Sequence, residues 1–157
     1  KGTTKFCITD TQSGQSHVAT FEEKGIPITN LNLDDYCQKN DIGQIDFAKI
    51  DLEGHEHKAL SGWQNCLNQK IVKAIYIETI PENQNRYQLN TNENLIYLES
   101  LGYKLYLCKD DDFQKFPNNT EPSKIIFNNK SIKLRSLKAK DYPINYSTDI
   151  LALASNF

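Results

Sequence analysis

Apolar residues in this chain fall into short runs of strand length and into stretches with helical spacing. The most informative stretch is residues 45–63, where a mostly apolar run ends at Asp51, a tight acidic turn containing Gly54 follows, and helical spacing then begins. In α/β folds, a parallel strand that leads into such a turn brings its last side chains to the sheet edge where ligands bind. The pattern therefore predicts a carboxylate at a binding crevice.

The same patterns predict the other elements of the chain. Further short apolar runs indicate strands at residues 3–9, 17–21, 26–29, 71–78, 103–108, 125–127, 132–137 and 149–154. Three helices are predicted: one capped by Asn32, one after the acidic turn and divided by Gly62, and one capped by Thr91 that stops at Gly102. The polar stretches are predicted to be a loop and a surface excursion, at residues 81–90 and 109–124.

Strands and helices alternate in the middle third of the chain, which implies right-handed crossovers between parallel strands. We therefore predict an α/β fold with a mostly parallel sheet and helices on its faces. The 157 residues suit one hydrophobic core, and the sequence contains no internal repeat. Residues 1–157 are accordingly predicted to form a single domain.

Two predicted neighbouring strands each end in a carboxylate, Asp51 and Glu78. Because the carboxyl ends of parallel strands meet at the same edge of a sheet, both side chains are expected at one crevice. There they could meet one substrate, one cation or one metal ion. The alternative is that each carboxylate caps the helix or turn that follows it. Spacing alone leaves both interpretations open.

Glu56 heads an apolar helical stripe that continues through Leu60, Trp63 and Leu67. An acid in that position is partly buried and needs a partner. The candidates are the free backbone N–H groups of the acidic turn and the side chain of Lys49. We interpret Glu56 as a structural acid that braces the turn.

His55 and His57 suggest a metal site at first sight. Residues two apart on a helix point to nearly opposite sides, so the pair is not expected to share a metal ion, for which helices use i, i+4 spacing. One of them could act as a general base if it faced the crevice. The favoured interpretation is two solvated surface histidines.

Charge and composition argue against several kinds of partner. The net charge of −2 gives no electrostatic footprint for nucleic acid. No apolar run approaches the ~20 residues that cross a bilayer, so no membrane partner is expected. The four cysteines lie far apart without zinc-ligand spacing, and glycine-rich phosphate loops are absent. We predict a cytoplasmic protein with free thiols.

Residues 45–63, read as I-D-F-A-K-I-D-L-E-G-H-E-H-K-A-L-S-G-W, resemble the signature of the FkbM family of S-adenosylmethionine-dependent methyltransferases. That pattern is roughly I-D-x-x-K-I-D-x-E-G-x-E-x-x-x-L-x-G. The surrounding sequence is similar too, with an L-D-D-Y segment upstream and, downstream, a strand ending in Glu78, a Leu-Gly-Tyr turn and a closing Asp-Ile-Leu-Ala. The resemblance runs from about Gly2 to Leu153.

The resemblance implies a Rossmann-like class I methyltransferase fold and O-methylation of a small-molecule or sugar hydroxyl. It places Asp51 and Glu53 at the acidic turn beside S-adenosylmethionine and the acceptor, and it makes Glu56 the third fixed acid. Glu78 falls where related O-methyltransferases have a substrate-side or metal-ligating residue. Asp51 and Glu78 are therefore the candidate catalytic residues, Asp51 and Glu53 the candidate cofactor-binding residues, and a divalent cation is compatible with them.

One part of the family pattern is missing. The first strand, its glycine-containing cofactor loop and the acid that holds the ribose would precede Gly2. The chain begins with Lys1 and contains no Met, so we expect it to be the C-terminal part of a longer catalytic domain. An incomplete parallel sheet would expose an unprotected edge, and a homo-oligomer is therefore also expected.

Two other functions compete with the methyltransferase hypothesis. The chain could be a non-catalytic methyltransferase-like module that binds a sugar or a protein. A metal-dependent hydrolase that uses Asp51 and Glu78 ranks third, because the sequence offers no cluster of histidine ligands.

Overall fold

The computed structural model of the chain describes residues 2–9, 16–20, 23–109, 120–127 and 130–155, which form two sheets with short helices. The strands are β1 (Gly2–Cys7), β2 (His17–Val18), β3 (Ile26–Asn30), β4 (Ile45–Ile50), β5 (Val72–Thr79), β6 (Tyr103–Leu107), β7 (Thr120–Phe127), β8 (Lys130–Leu137) and β9 (Thr148–Ala154). The helices are α1 (Leu33–Lys39), α2 (Glu56–Ser61), α3 (Gln64–Asn68), α4 (Pro81–Asn85) and α5 (Glu93–Ser100). No helix in these ranges has the length and apolar character that crossing a membrane requires.

A six-stranded sheet in the order β4-β5-β9-β6-β8-β7 forms the larger part of the fold, and β2-β1-β3 form a separate antiparallel sheet. Strand β5, an interior strand of this sheet, is buried or half-buried along its whole length, as its largely apolar sequence predicts. Helices α2 and α3 make the crossover from β4 to β5, and the buried Leu60 and Leu67 on them belong to the core. The predicted division of this helix at Gly62 is confirmed.

The α/β class is confirmed, but the prediction of a mostly parallel sheet is wrong. Only β4 and β5 pair in parallel, and the other four pairings in the six-stranded sheet are antiparallel. The reason is the position of β9, which lies between β5 and β6 and runs against both. It is buried or half-buried along its whole length, so its backbone N–H and C=O groups require partners on both sides.

Two stretches predicted to be irregular contain regular structure. Residues 120–124 belong to β7, which pairs with β8 in a long antiparallel hairpin, whereas residues 110–119 lie outside the described residues. Helix α4 begins inside the loop predicted at residues 81–90, with Pro81 in its first turn and Glu82 beside it. Proline suits that position because the N–H it lacks would have no helical partner.

The two predicted helix caps have different outcomes. Asn32 caps α1 as predicted, and its Oδ1 accepts hydrogen bonds from the N–H groups of Asp34 at 2.8 Å and Asp35 at 3.4 Å. Thr91 does not cap α5, which begins at Glu93. Its hydroxyl donates instead to the backbone carbonyl of Ile144, because a tertiary contact competes with the cap.

Strand β4 forms one end of the six-stranded sheet, and β5 is the strand that pairs with it in the described part of the chain. Phe47, in the middle of β4, is 57 % exposed. An open, partly apolar edge of this kind favours pairing with another strand. The expected homo-oligomer stays a prediction.

The Asp34 side chain joins α1 to α3. Its two carboxylate oxygens accept hydrogen bonds from the N–H groups of Asn65 at 2.8 Å and Cys66 at 2.9 Å, at the start of α3. These N–H groups have no partner within the helix, so a carboxylate from another element satisfies them. Burial opposes the effect of these bonds, yet the pKa of Asp34 is lowered overall.

Replacing this carboxylate should destabilise the fold. We expect Asp34→Ala to lower the free energy of unfolding by about 1–2 kcal/mol, because α3 loses its cap. Urea unfolding followed by circular dichroism measures the change. Asp35→Ala is the matched control, since Asp35 is also in the first turn of α1 but is exposed. Equal losses for the two variants would contradict a specific capping role for Asp34.

Candidate active site

Three carboxylates meet at the carboxyl ends of β4 and β5. Ile50 pairs with Ile77 in the parallel register, so the residues that follow lie side by side, Asp51 directly after β4 and Glu78 next to the last residue of β5. Carboxylate oxygens of Asp51, Glu53 and Glu78 all lie within 4.8 Å of one another. We call these three residues the carboxylate cluster. The structure thus brings together the predicted site residues, while their catalytic and cofactor-binding roles stay predictions.

The acidic turn has a backbone shape that places Glu53 in this cluster. Glu53 and Gly54 both have positive φ, at 54° and 98°. Oε1 of Glu56 accepts hydrogen bonds from the N–H groups of Leu52 at 2.9 Å and Gly54 at 3.1 Å, which closes the turn. Glu56 is only 2 % exposed, and burial raises its pKa. This is the geometry that the predicted bracing role requires.

Helix α4 packs directly against the acidic turn. Nδ2 of Asn83 donates to Oε2 of Glu53 at 2.7 Å, and the Arg86 guanidinium donates to the Glu53 carbonyl at 3.4 Å. A Cβ atom on Gly54 would lie 2.1 Å from the Asn83 carbonyl oxygen, so the close approach requires glycine. Sequence reasoning missed Asn83, although the Pro81-Glu82 start of a helix was the available signal.

Lys49 and Asp149 set the charge around the cluster. Nζ of Lys49 lies 2.5 Å from Oδ2 of Asp51, so this lysine pairs with Asp51 and not with Glu56, for which it was a candidate partner from the sequence. Asp149 lies opposite Glu78 in the β5–β9 register. Its Oδ2 accepts hydrogen bonds from the Lys109 ammonium at 2.7 Å and from a tyrosine hydroxyl of β5. Sequence reasoning missed Asp149 because no local pattern indicates which strands β9 joins.

The pKa of Glu78 is raised to about 7. Burial is the largest cause, followed by the negative charges of Asp51, Glu53 and Asp149. A carboxyl group in these surroundings changes its charge near neutral pH. Such a group, at the end of a strand in an α/β sheet, suits an acid–base role.

The interpretation of His55 and His57 as separate, solvated surface residues is wrong. Their ring centroids are 5.5 Å apart, and each ring also contacts the Tyr87 ring, at 5.1 Å and 5.8 Å. His55 is the N-cap of α2 with ψ 11°, so the helical i, i+2 geometry assumed for the pair does not apply. Burial lowers the pKa of His55 to about 4, and it also lowers that of His57.

The comparison with protein families decides the family of the chain. The model of the methyltransferase FkbM domain matches residues 1–105, which is two thirds of the 157 residues. The chain belongs to the FkbM methyltransferase family. Neither the curated proteins nor the solved structures contain a significant match to it. The resemblance inferred from the sequence is thus confirmed, and membership supports methyltransferase activity in general.

The FkbM match covers the whole carboxylate cluster and α4 but ends inside β6. Strand β9 lies beyond it, and Asp149 on that strand raises the pKa of Glu78. The matched region therefore supplies all three carboxylates, and a strand beyond it raises the pKa of one of them, Glu78.

A side chain at position 54 should disrupt the acidic turn of this FkbM domain. We expect Gly54→Ala to lower the free energy of unfolding by roughly 2–4 kcal/mol, because a Cβ meets the Asn83 carbonyl and the φ is unfavourable. Chemical denaturation measures the loss. Gly43→Ala is the control, since a Cβ at position 43 would have no atom of the described residues within 4 Å. A Gly54 variant as stable as the Gly43 variant would show that the turn has another shape.

Proposed function

We propose that the protein is an S-adenosylmethionine-dependent methyltransferase that methylates a hydroxyl oxygen of a small molecule or sugar. The observation that carries this proposal is the convergence of Asp51, Glu53 and Glu78 within 4.8 Å in a member of the FkbM family. The cluster lies at the carboxyl ends of parallel strands, where α/β folds bind their ligands.

The charge of the cluster suits the cofactor. When bound, S-adenosylmethionine supplies an electrophilic methyl group on a positively charged sulfur. The negative charges that raise the pKa of Glu78 also favour a cation beside them. In this proposal Asp51 and Glu53 face the cofactor, and the contact between Asn83 and Glu53 holds one of these carboxylates in place.

Glu78 is proposed as the general base. Its pKa of about 7 leaves much of it ionised at neutral pH while it still binds a proton readily. As the acceptor oxygen bonds to the methyl carbon, the carbon–sulfur bond breaks and its electron pair stays on sulfur. The hydroxyl proton passes to the Glu78 carboxylate. General-base catalysis of this kind contributes typically 10²–10⁴-fold to the rate.

A divalent cation at the cluster is a second candidate arrangement. Carboxylate oxygens are the ligands that Mg²⁺ and Ca²⁺ prefer, and three of them converge here. A cation there would lower the pKa of the acceptor hydroxyl, as metal ions do for bound water. Turnover that EDTA abolishes and Mg²⁺ restores would favour this arrangement over proton transfer to Glu78.

Variants of the cluster test the assignment of roles in the protein at its natural length. We expect Asp51→Asn to weaken S-adenosylmethionine binding about tenfold, since one favourable charge is lost. Glu78→Gln should lower kcat about 100-fold or more and leave cofactor affinity nearly unchanged. Calorimetric titration and a methyl-transfer assay give the two quantities.

Asp46→Asn is the matched control, because Asp46 lies on β4 and is exposed, outside the cluster. Wild-type protein that binds no S-adenosylmethionine would overturn the proposal. It would favour the alternative of a non-catalytic binding module.

The pH dependence of turnover provides a separate test. Glu78 must be deprotonated to accept a proton, so kcat should fall as the pH drops through about 7. Asp149→Asn removes a negative charge that raises this pKa. The pH at which kcat falls on the acid side should therefore be lower in this variant by roughly half a pH unit. If kcat of Asp149→Asn falls at the same pH as that of the wild type, a group other than Glu78 causes the decrease.

A further inference from the structure

A second group of potential ligands lies in the small sheet, apart from the carboxylate cluster. Cys7 on β1 and His17 on β2 are directly paired in the antiparallel register, so their side chains share one face. Glu23 follows β2 in the chain. One ligand atom from each of Cys7, His17 and Glu23 lies within 4.8 Å of the other two. Sulfur, imidazole nitrogen and carboxylate oxygen therefore converge from three parts of the chain.

Hydrogen bonds hold two of these side chains in place. Oε1 of Glu23 lies 3.1 Å from Nε2 of His17. Its other oxygen accepts from the backbone N–H and the hydroxyl of Thr20, at 2.7 Å and 2.8 Å. These bonds, first that from the Thr20 backbone, lower the pKa of Glu23 to about 2. Glu23 is therefore a carboxylate at neutral pH, and His17 is only 9 % exposed.

The Cys7 thiol reaches the same place from β1. The Cys7 residue is half-buried, and its thiol donates to the backbone carbonyl of Lys24 at 3.1 Å. That carbonyl belongs to the residue directly after Glu23, so the segment that carries the carboxylate also contacts the thiol.

We propose that Cys7, His17 and Glu23 form a Zn²⁺ site with a fourth position for water. Zinc takes sulfur, imidazole nitrogen and carboxylate oxygen at about 2.0–2.3 Å, which requires ligand atoms about 3.3–3.6 Å apart. The three ligand atoms lie within 4.8 Å of one another, and the His17 nitrogen and the Glu23 oxygen are 3.1 Å apart, so a zinc ion would draw the set closer together. Thiolate and imidazole select zinc over Mg²⁺ and Ca²⁺, which prefer oxygen ligands only.

Binding has a defined proton balance. The thiol of Cys7 loses its proton to solvent as the zinc–sulfur bond forms, and neutral imidazole supplies the nitrogen ligand. The direct hydrogen bond between His17 and Glu23 is replaced by coordination of both side chains to zinc.

The site is linked to the candidate active site through β2. The Val18 carbonyl, next to His17, accepts a hydrogen bond of 2.6 Å from the Tyr87 hydroxyl. The Tyr87 ring contacts His55 beside the acidic turn. Zinc bound at His17 would fix β2, and with it the Val18 carbonyl that accepts the hydrogen bond from Tyr87. The site would thus stabilise the position of the small sheet, whatever reaction the carboxylate cluster performs.

Cobalt and zinc titrations of the purified protein, without a polyhistidine tag, test the proposal. We expect one Co²⁺ per chain, with thiolate-to-cobalt charge-transfer absorption in the near ultraviolet and the visible bands of a four-coordinate ion. Zinc should displace the cobalt, whereas Mg²⁺ should not. Competition with a chromophoric chelator then gives the zinc affinity.

Three variants separate coordination from folding. Cys7→Ser should abolish the charge-transfer band and weaken zinc binding by more than about 100-fold, beyond what the loss of an outer-shell group causes. Glu23→Gln should also weaken binding, while the thiolate band persists at saturating Co²⁺. Cys108→Ser, which changes another half-buried cysteine, should bind as the wild type does. Circular dichroism verifies that each variant is folded.

Two results would overturn the proposal. One is wild-type protein that takes up neither metal, in which case the three side chains form only a hydrogen-bonded connection in the small sheet. The other is metal binding that survives in folded Cys7→Ser with an unchanged spectrum, which would place the metal elsewhere.

Discussion

The two hydrogen bonds that Glu56 accepts from the acidic turn are the interaction on which the candidate active site depends. They connect the start of α2 to the N–H groups of Leu52 and Gly54, at 2.9 Å and 3.1 Å. Glu53 keeps a positive φ within this turn, a conformation that non-glycine residues adopt only when their surroundings require it. Because Glu56 is buried, the bonds are shielded from water, and the turn presents Glu53 beside Asp51 and Glu78.

Repulsion among the three carboxylates destabilises the folded protein, and this favours a functional explanation for their convergence. Burial and, after it, the like charges nearby raise the pKa of Glu78, and the hydrogen bond from Asn83 to Glu53 helps to keep these charges together. Asp149 adds a further negative charge from β9. A cation bound at the cluster would relieve this repulsion. Groups with shifted pKa values concentrate at functional sites, because catalysis requires acids and bases whose pKa values suit the reaction.

Sequence reasoning succeeded where one local pattern determines geometry. Parallel strands joined by a single crossover must end at one edge, and this placed Asp51 near Glu78. It failed where distant residues decide the outcome. The apolar pattern of β9 does not indicate that it inserts against β5 and β6, so the mixed sheet and the role of Asp149 were missed. His55 was misread because Tyr87, 32 residues later, packs on it at the helix cap. The set formed by residues 7, 17 and 23 has no recognisable spacing, since a strand pairing creates it.

The pKa of Glu78 tests most directly whether the three carboxylates converge. Carboxyl ¹³C chemical shifts, followed by NMR as a function of pH, report the titration of this one side chain. We expect a midpoint near pH 7 in the wild type and a lower one in Asp51→Asn, because that variant removes a neighbouring negative charge. A midpoint near the ordinary 4.5, unaffected by Asp51→Asn, would mean that Glu78 stands apart from the other two and that the carboxylate cluster does not exist.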